Sequence, residues 1–169
     1  MSILEIITYP NNFLRQLTKA VDNITGQTQD LIASMVETMY AAPGVGLAAN
    51  QVGSEQRILV FDASNRDETR SPTILINPKI IERHGEIISE DEGCLSVPDF
   101  RSNVRRAESI LVECVDRDGN PLSIEASGFL AIILQHEIDH LEGKLFIDHI
   151  SKLKRQLFTR RMKKRLKDR

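Results

Sequence analysis

The chain has 169 residues, 41% hydrophobic and 27% charged, with nine Gly, six Pro and two Cys. That is the size of one ordinary domain with a core large enough to fold without staples, which excludes a disordered chain, a collagen-like repeat and a disulfide scaffold. The formal net charge of -2 hides an asymmetry: residues 152–169 carry ten Lys or Arg against Asp168 alone, or +9, which leaves -11 on residues 1–151.

In chain order, the N-terminus has no basic region and reaches Glu5 before an apolar run develops, so neither a secretory signal nor a transit peptide is expected. A helix is predicted over 28–41, with Thr28 as its cap, Leu31, Met35, Val36 and Met39 on one side, and Pro43-Gly44 as its stop. A Gly-rich segment follows, then strands at Ile58–Phe61 and Thr73–Ile76, the second ended by Asn77-Pro78. Ile110 to Val115 alternates as a sheet strand with Cys114 an ordinary buried thiol, and Asp118-Gly119 turns it into Leu122–Ala126.

A second helix runs from Gly128 to Glu142, with Ser127 as cap and Gly143 as terminator. Phe129 to Leu134 makes it apolar nearly all round, which demands burial yet is too short a run to cross a bilayer. The fold class expected is α+β: a single domain of mixed short strands packed around this central buried helix, plus a C-terminal basic helix. Leu153, Leu157, Met162 and Leu166 recur at near-helical spacing in that last segment, so its stripe either docks on the body or accompanies a polyanion contact. Two cysteines with no C-x-x-C point to a reducing compartment, and a cytoplasmic monomer is expected.

The buried helix ends in Gln135-His136-Glu137-Ile138-Asp139-His140. His136 and His140 stand one turn apart and reach one metal ion, with Glu137 beside them where a carboxylate takes a proton from a polarised water. Chance produces H-E-x-x-H in fewer than about one chain in a hundred, and three ionisable side chains on an apolar helix are costly without a purpose. A catalytic site wants a third protein ligand. Cys94, in Glu92-Gly93-Cys94-Leu95-Ser96, competes for that place with His149 and Glu142, and the acids around it disfavour a thiolate unless a cation stabilises it. Gly44-Val45-Gly46-Leu47-Ala48-Ala49-Asn50-Gln51 suits a backbone lying tight against something, with Gln51 able to offer an amide N–H to an oxyanion.

Together these three segments resemble the peptide deformylase family, whose Gly-x-Gly-Leu-Ala-Ala-x-Gln, Glu-Gly-Cys-Leu-Ser and Gln-His-Glu-x-Asp-His-Leu-x-Gly signatures stand complete at 44–51, 92–96 and 135–143. The resemblance covers about residues 1–150. It implies a hydrolase that removes the formyl group from N-formyl-methionyl nascent peptides and releases formate, the alternative being a metallo-endopeptidase. It implies Cys94, His136 and His140 as metal ligands, Glu137 as general base and acid, and Gln51 with the Leu95 N–H as the oxyanion site. Val45, Gly46 and Gly93 are implied along the peptide backbone, and Arg101, Phe129, Ile132 and Ile133 around the methionine side chain. The implied ion is Fe2+, with zinc, nickel or cobalt able to substitute. Residues 1–151 then form the catalytic domain, and 152–169 resembles the terminal helix through which bacterial members contact the ribosome. Asp99-Phe100 and Glu90 depart from the family pattern at the expected cleft rim.

Overall fold

The computed structural model describes residues 2–65 and 67–169. The first helix, α1 (Gly26–Ala41), begins two residues earlier than the apolar spacing indicates, because Thr25 caps it. The Thr28 N–H donates to Thr25 Oγ1 at 3.3 Å while the Thr25 N–H donates to Thr28 Oγ1 at 3.2 Å. Thr28 is therefore the reciprocal partner in a capping box and not the cap.

Seven strands follow: β1 (Gly46–Ala48), β2 (Ile58–Phe61), β3 (Thr73–His84), β4 (Ile87–Cys94), β5 (Val97–Arg106), β6 (Ser109–Val115) and β7 (Pro121–Ser127). Five form one antiparallel sheet in the order β1-β2-β3-β6-β7, and β4 and β5 pair as a separate two-stranded sheet. Strand β3 does not stop at Asn77-Pro78. Asn77 takes a left-handed φ of 55° within a register shift, and its amide exchanges hydrogen bonds of 2.8 and 2.9 Å with the Val21 backbone. The turn residue is absorbed as a bulge, and the strand runs on.

Hairpin β4–β5 has no counterpart in the sequence reading. Its buried positions mix Val97 and Val104 with Ser89, Glu92, Ser102 and Arg106, so the apolar alternation that betrays a half-buried strand is interrupted.

Helix α2 (Gly128–Leu141) buries every residue from Ile133 to its end. Ser127 makes no side-chain capping bond; Gly128, at φ 60°, turns the chain and donates its N–H to the Glu108 carbonyl at 2.9 Å. At the far end Gly143, at φ 74°, lets the Lys144 N–H reach back to the Asp139 carbonyl at 2.9 Å. The strand residues divide between two helices. Leu59 and Leu75 pack with Leu134 and Ile138 of α2, whereas Ile58, Val60 and Ile76 pack with Ile32, Met35 and Met39 of α1. Successive strand residues point to opposite faces, so α1 and α2 sandwich the sheet and β2 is buried on both sides.

Helix α3 (Lys152–Lys167) starts at Ser151, whose hydroxyl accepts from the Lys154 N–H at 3.3 Å. The expected stripe is not what holds it: Leu153, Leu157 and Leu166 are 67%, 49% and 49% exposed. Phe158 is its buried residue, seated with Leu14, Val97 and Phe146, and Met162 is half-buried beside them. An aromatic ring carries enough apolar area to dock a helix that is otherwise almost wholly polar.

Candidate metal centre and peptide cleft

His136 and His140 occupy successive turns of α2 with ring centroids 5.0 Å apart. Cys94, at the last position of β4, brings Sγ to 3.1 Å from His140 Nε2. One ligand atom from each of the three lies within 4.8 Å of the others. The third potential ligand atom beside the two imidazoles is thus Cys94 Sγ. His149 instead meets Asp139 Oδ2 at 2.7 Å, and Glu142 sits at the surface near Arg57 and Lys144.

The Glu92 carboxylate holds His136 in orientation. Its Oε1 accepts from His136 Nδ1 at 2.6 Å, which turns Nε2 toward Cys94 and His140. Arg106 clamps the same carboxylate through Nη2 at 2.5 Å and Nε at 3.2 Å, and reaches Asp139 Oδ2 through Nη1 at 2.7 Å. Burial pushes Glu92 up, but these hydrogen bonds and charges bring its carboxyl down to about 2. Asp139 is likewise lowered, against its burial, by His149 and Arg106. Burial opposes ionisation of Cys94 too, yet the adjoining His140 and His136 hold the thiol well below its usual value. The thiolate penalty expected from neighbouring acids is therefore removed: Glu92 is spent on His136 and Arg106, while Glu90 and Asp91 are exposed.

Glu137 lies among these groups and is raised by its own burial, which His136 and His140 only partly offset. Its Oε2 is buried without a protein hydrogen-bond partner among the described residues. A Cβ added at Gly46 would fall 2.6 Å from Glu137 Oε1, so glycine is needed there for β1 to pass this carboxylate. Gln51 is oriented by what its amide must satisfy: Oε1 accepts from the Ala48 N–H at 2.9 Å. Nε2 is thereby directed to Ser96 Oγ at 3.0 Å and toward Cys94 Sγ at 3.7 Å.

A cavity of about 880 Å³ opens onto this cluster. Every site residue named from the sequence lines it except His140, which lies deeper at 1% exposure. Val45 and Gly46 are on one wall, Gly93, Cys94 and Leu95 on the other, with Phe129, Ile132 and Ile133 along the α2 side. Arg101 lies over Gly93, its Cζ 3.2 Å from where a Cβ would be, and donates to the Asp91 carbonyl at 3.1 Å. Both flanking strands, β1 and β4, are at sheet edges, the arrangement that accepts an added peptide strand.

Arg106, Asp139 and the role of Glu92 escaped the sequence reading. The available signal was an Asp on an otherwise buried helix, which requires a cation from elsewhere in the chain.

A family model described as Polypeptide deformylase matches residues 3–156. A peptide deformylase of Desulfosudis oleivorans is 50% identical over 167 residues, spanning 99% of this chain and 96% of that one. Among solved structures, a peptide deformylase from Legionella pneumophila superposes with a TM-score of 0.89 at 44% identity, covering 99% of each chain. A peptide deformylase from Ehrlichia chaffeensis in complex with actinonin gives 0.90 at 39% identity over 98% of each. These matches leave the metallo-endopeptidase alternative without support. The chain belongs to the polypeptide deformylase family, metal-dependent hydrolases that remove the formyl group from the N-terminal methionine of nascent polypeptides and release formate.

Proposed function

We propose that Cys94, His136 and His140 hold the catalytic metal and that Glu137 moves the protons of deformylation. The observation that carries this is the convergence of one thiol and two imidazoles on a single point, with an unpartnered Glu137 oxygen beside them. One thiolate and two neutral imidazoles suit a divalent first-row ion, and the family resemblance favours Fe2+, with zinc, nickel or cobalt able to substitute. Such an ion supplies an acidified water and a Lewis acid for the formyl oxygen.

The chain's own residues do the rest. Glu137 accepts the proton of the attacking water and returns it to the departing amine. Gln51 Nε2 and the Leu95 N–H receive the charge that grows on the formyl oxygen. The peptide lies extended between β1 and β4, against Val45, Gly46 and Gly93. Its methionine side chain enters between Phe129, Ile132, Ile133 and the stem of Arg101. We assign catalysis to residues 1–151 and an auxiliary role to 152–169, whose cations fit ribosomal RNA, in a monomeric cytoplasmic enzyme.

The test is formate release from a formyl-Met peptide by anaerobically prepared, Fe2+-loaded protein, with metal content measured alongside. Glu137→Gln should lower kcat by roughly 10²- to 10⁴-fold while metal stays bound. A Gln variant that turns over normally would remove Glu137 from the mechanism. Full metal retention in Cys94→Ala would refute the ligand set.

A further inference from the structure

The deformylation mechanism proposed above leaves α3 unused, yet α3 packs against two residues that line the peptide cleft, Asp99 and Phe100. Phe158, 3% exposed, places its ring centroid 4.6 Å from that of Phe100, and Phe100 lines the cleft. Phe100 also packs against Phe146 at 5.9 Å, which stacks at 6.2 Å on His136. The preceding residue is held as well: Arg165 Nη1 donates to Asp99 Oδ2 at 3.1 Å. Asp99 stands at φ 61°, a left-handed conformation that Asp adopts more readily than most non-glycine residues. Asp99 lines both the cleft and a groove of about 480 Å³ that Met162, Arg165 and Leu166 of α3 also line, whereas Phe100 lines the cleft.

We propose that Phe158 and Arg165 are positioning residues for the known reaction: they brace the Asp99-Phe100 wall against which the substrate's residues beyond methionine lie. This rests on the peptide placement given above. The formyl group and the methionine side chain already have their walls, in the metal cluster and on α2. Phe100 is left facing the chain that continues past them. A ring supported by Phe158 and Phe146 presents a rigid surface; with one support gone, the peptide has to order that surface as it binds. The cost falls on binding of the longer substrate and not on the chemical step.

The test compares two substrates with the intact Fe2+-loaded enzyme, formyl-methionine amide and a formyl-Met tripeptide. Phe158→Ala should raise KM for the tripeptide roughly two- to tenfold, the range of one aromatic contact, and leave both constants for the amide unchanged. Phe158→Leu, which restores bulk, should recover most of the loss. Arg165→Ala, outside the core, should raise the tripeptide KM by a smaller factor. Phe100→Ala and Phe158→Ala should be non-additive in that KM, because they remove the same contact. Equal changes for both substrates, a fall in kcat alone, or no change in a folded variant would overturn the proposal. Failure of the parent enzyme to release formate from either substrate would instead overturn the functional reading beneath it.

Discussion

Helices α2 and α3 have 14 and 16 residues and nearly opposite natures. From Ile133 onward α2 is wholly buried, whereas α3 buries Phe158 and exposes eight of its nine Lys or Arg to solvent. The polar groups of α2 had to be answered from other elements: Glu92 of β4 meets His136, and Arg106 of β5 meets Asp139. Those of α3 needed no answer, because water supplies it. One helix is therefore a rigid carrier of reactive groups, fixed by apolar packing and buried ion pairs together. The other is held by an aromatic ring, a half-buried Met162 and an exposed ion pair, a scale of attachment that suits adjusting a cleft rim.

The comparison breaks first, if it breaks, at Arg106. Its side chain is 4% exposed and is the cation between Glu92 and Asp139. Arg106→Ala leaves two buried carboxylates with only His136 and His149 as partners and should lower the unfolding free energy by about 3–5 kcal/mol in urea titrations. A loss under about 1 kcal/mol would mean that packing alone fixes α2 and that the ion pairs are incidental. Leu134→Ala tests the apolar half of the same statement. Leu134 is fully buried between α2 and the sheet, so its truncation should cost about 2–5 kcal/mol. Because Leu134 faces the sheet and not the metal cluster, the surviving folded fraction should keep its kcat.

The contrast between the helices also sets what the sequence disclosed. The apolar run of α2, its glycine stop and the His136–His140 spacing are local patterns, and local patterns survive being read one residue at a time. Strands β2, β6 and β7 are legible for the same reason, with apolar runs or alternation bounded by turn residues. Hairpin β4–β5 was not, because its buried face mixes Val97 and Val104 with Ser89, Glu92, Ser102 and Arg106, and Glu92 and Arg106 are buried to serve groups on α2 that are distant in sequence. The same distance hid the Glu92–Arg106–Asp139 network. Asn77 misled for a different reason. Its positive φ and its bonds to Val21 let a turn signature sit inside a strand. Cys94 separates from His149 and Glu142 as a candidate third donor only where β4 brings its Sγ beside His140, since sequence spacing left all three open.

The smallest effect bears on α3. A regular apolar spacing of Leu153, Leu157, Met162 and Leu166 describes a docking stripe, but the backbone presents Phe158 to the body instead and leaves Leu157 49% exposed. Two adjacent helical positions point about 100° apart, and this helix, touching the body along one side, turns Phe158 to it and Leu157 to solvent. Leu157→Ala should accordingly change the unfolding free energy by no more than about 0.5 kcal/mol, as surface substitutions do. Its neighbour sets the scale, since a buried Phe cut to Ala costs about 3–5 kcal/mol where the whole fold depends on it. If Leu157→Ala cost as much as Phe158→Ala, the helix would be docked by its leucine stripe after all. Phe100 would then lose its proposed support, and the rim of the cleft its connection to α3.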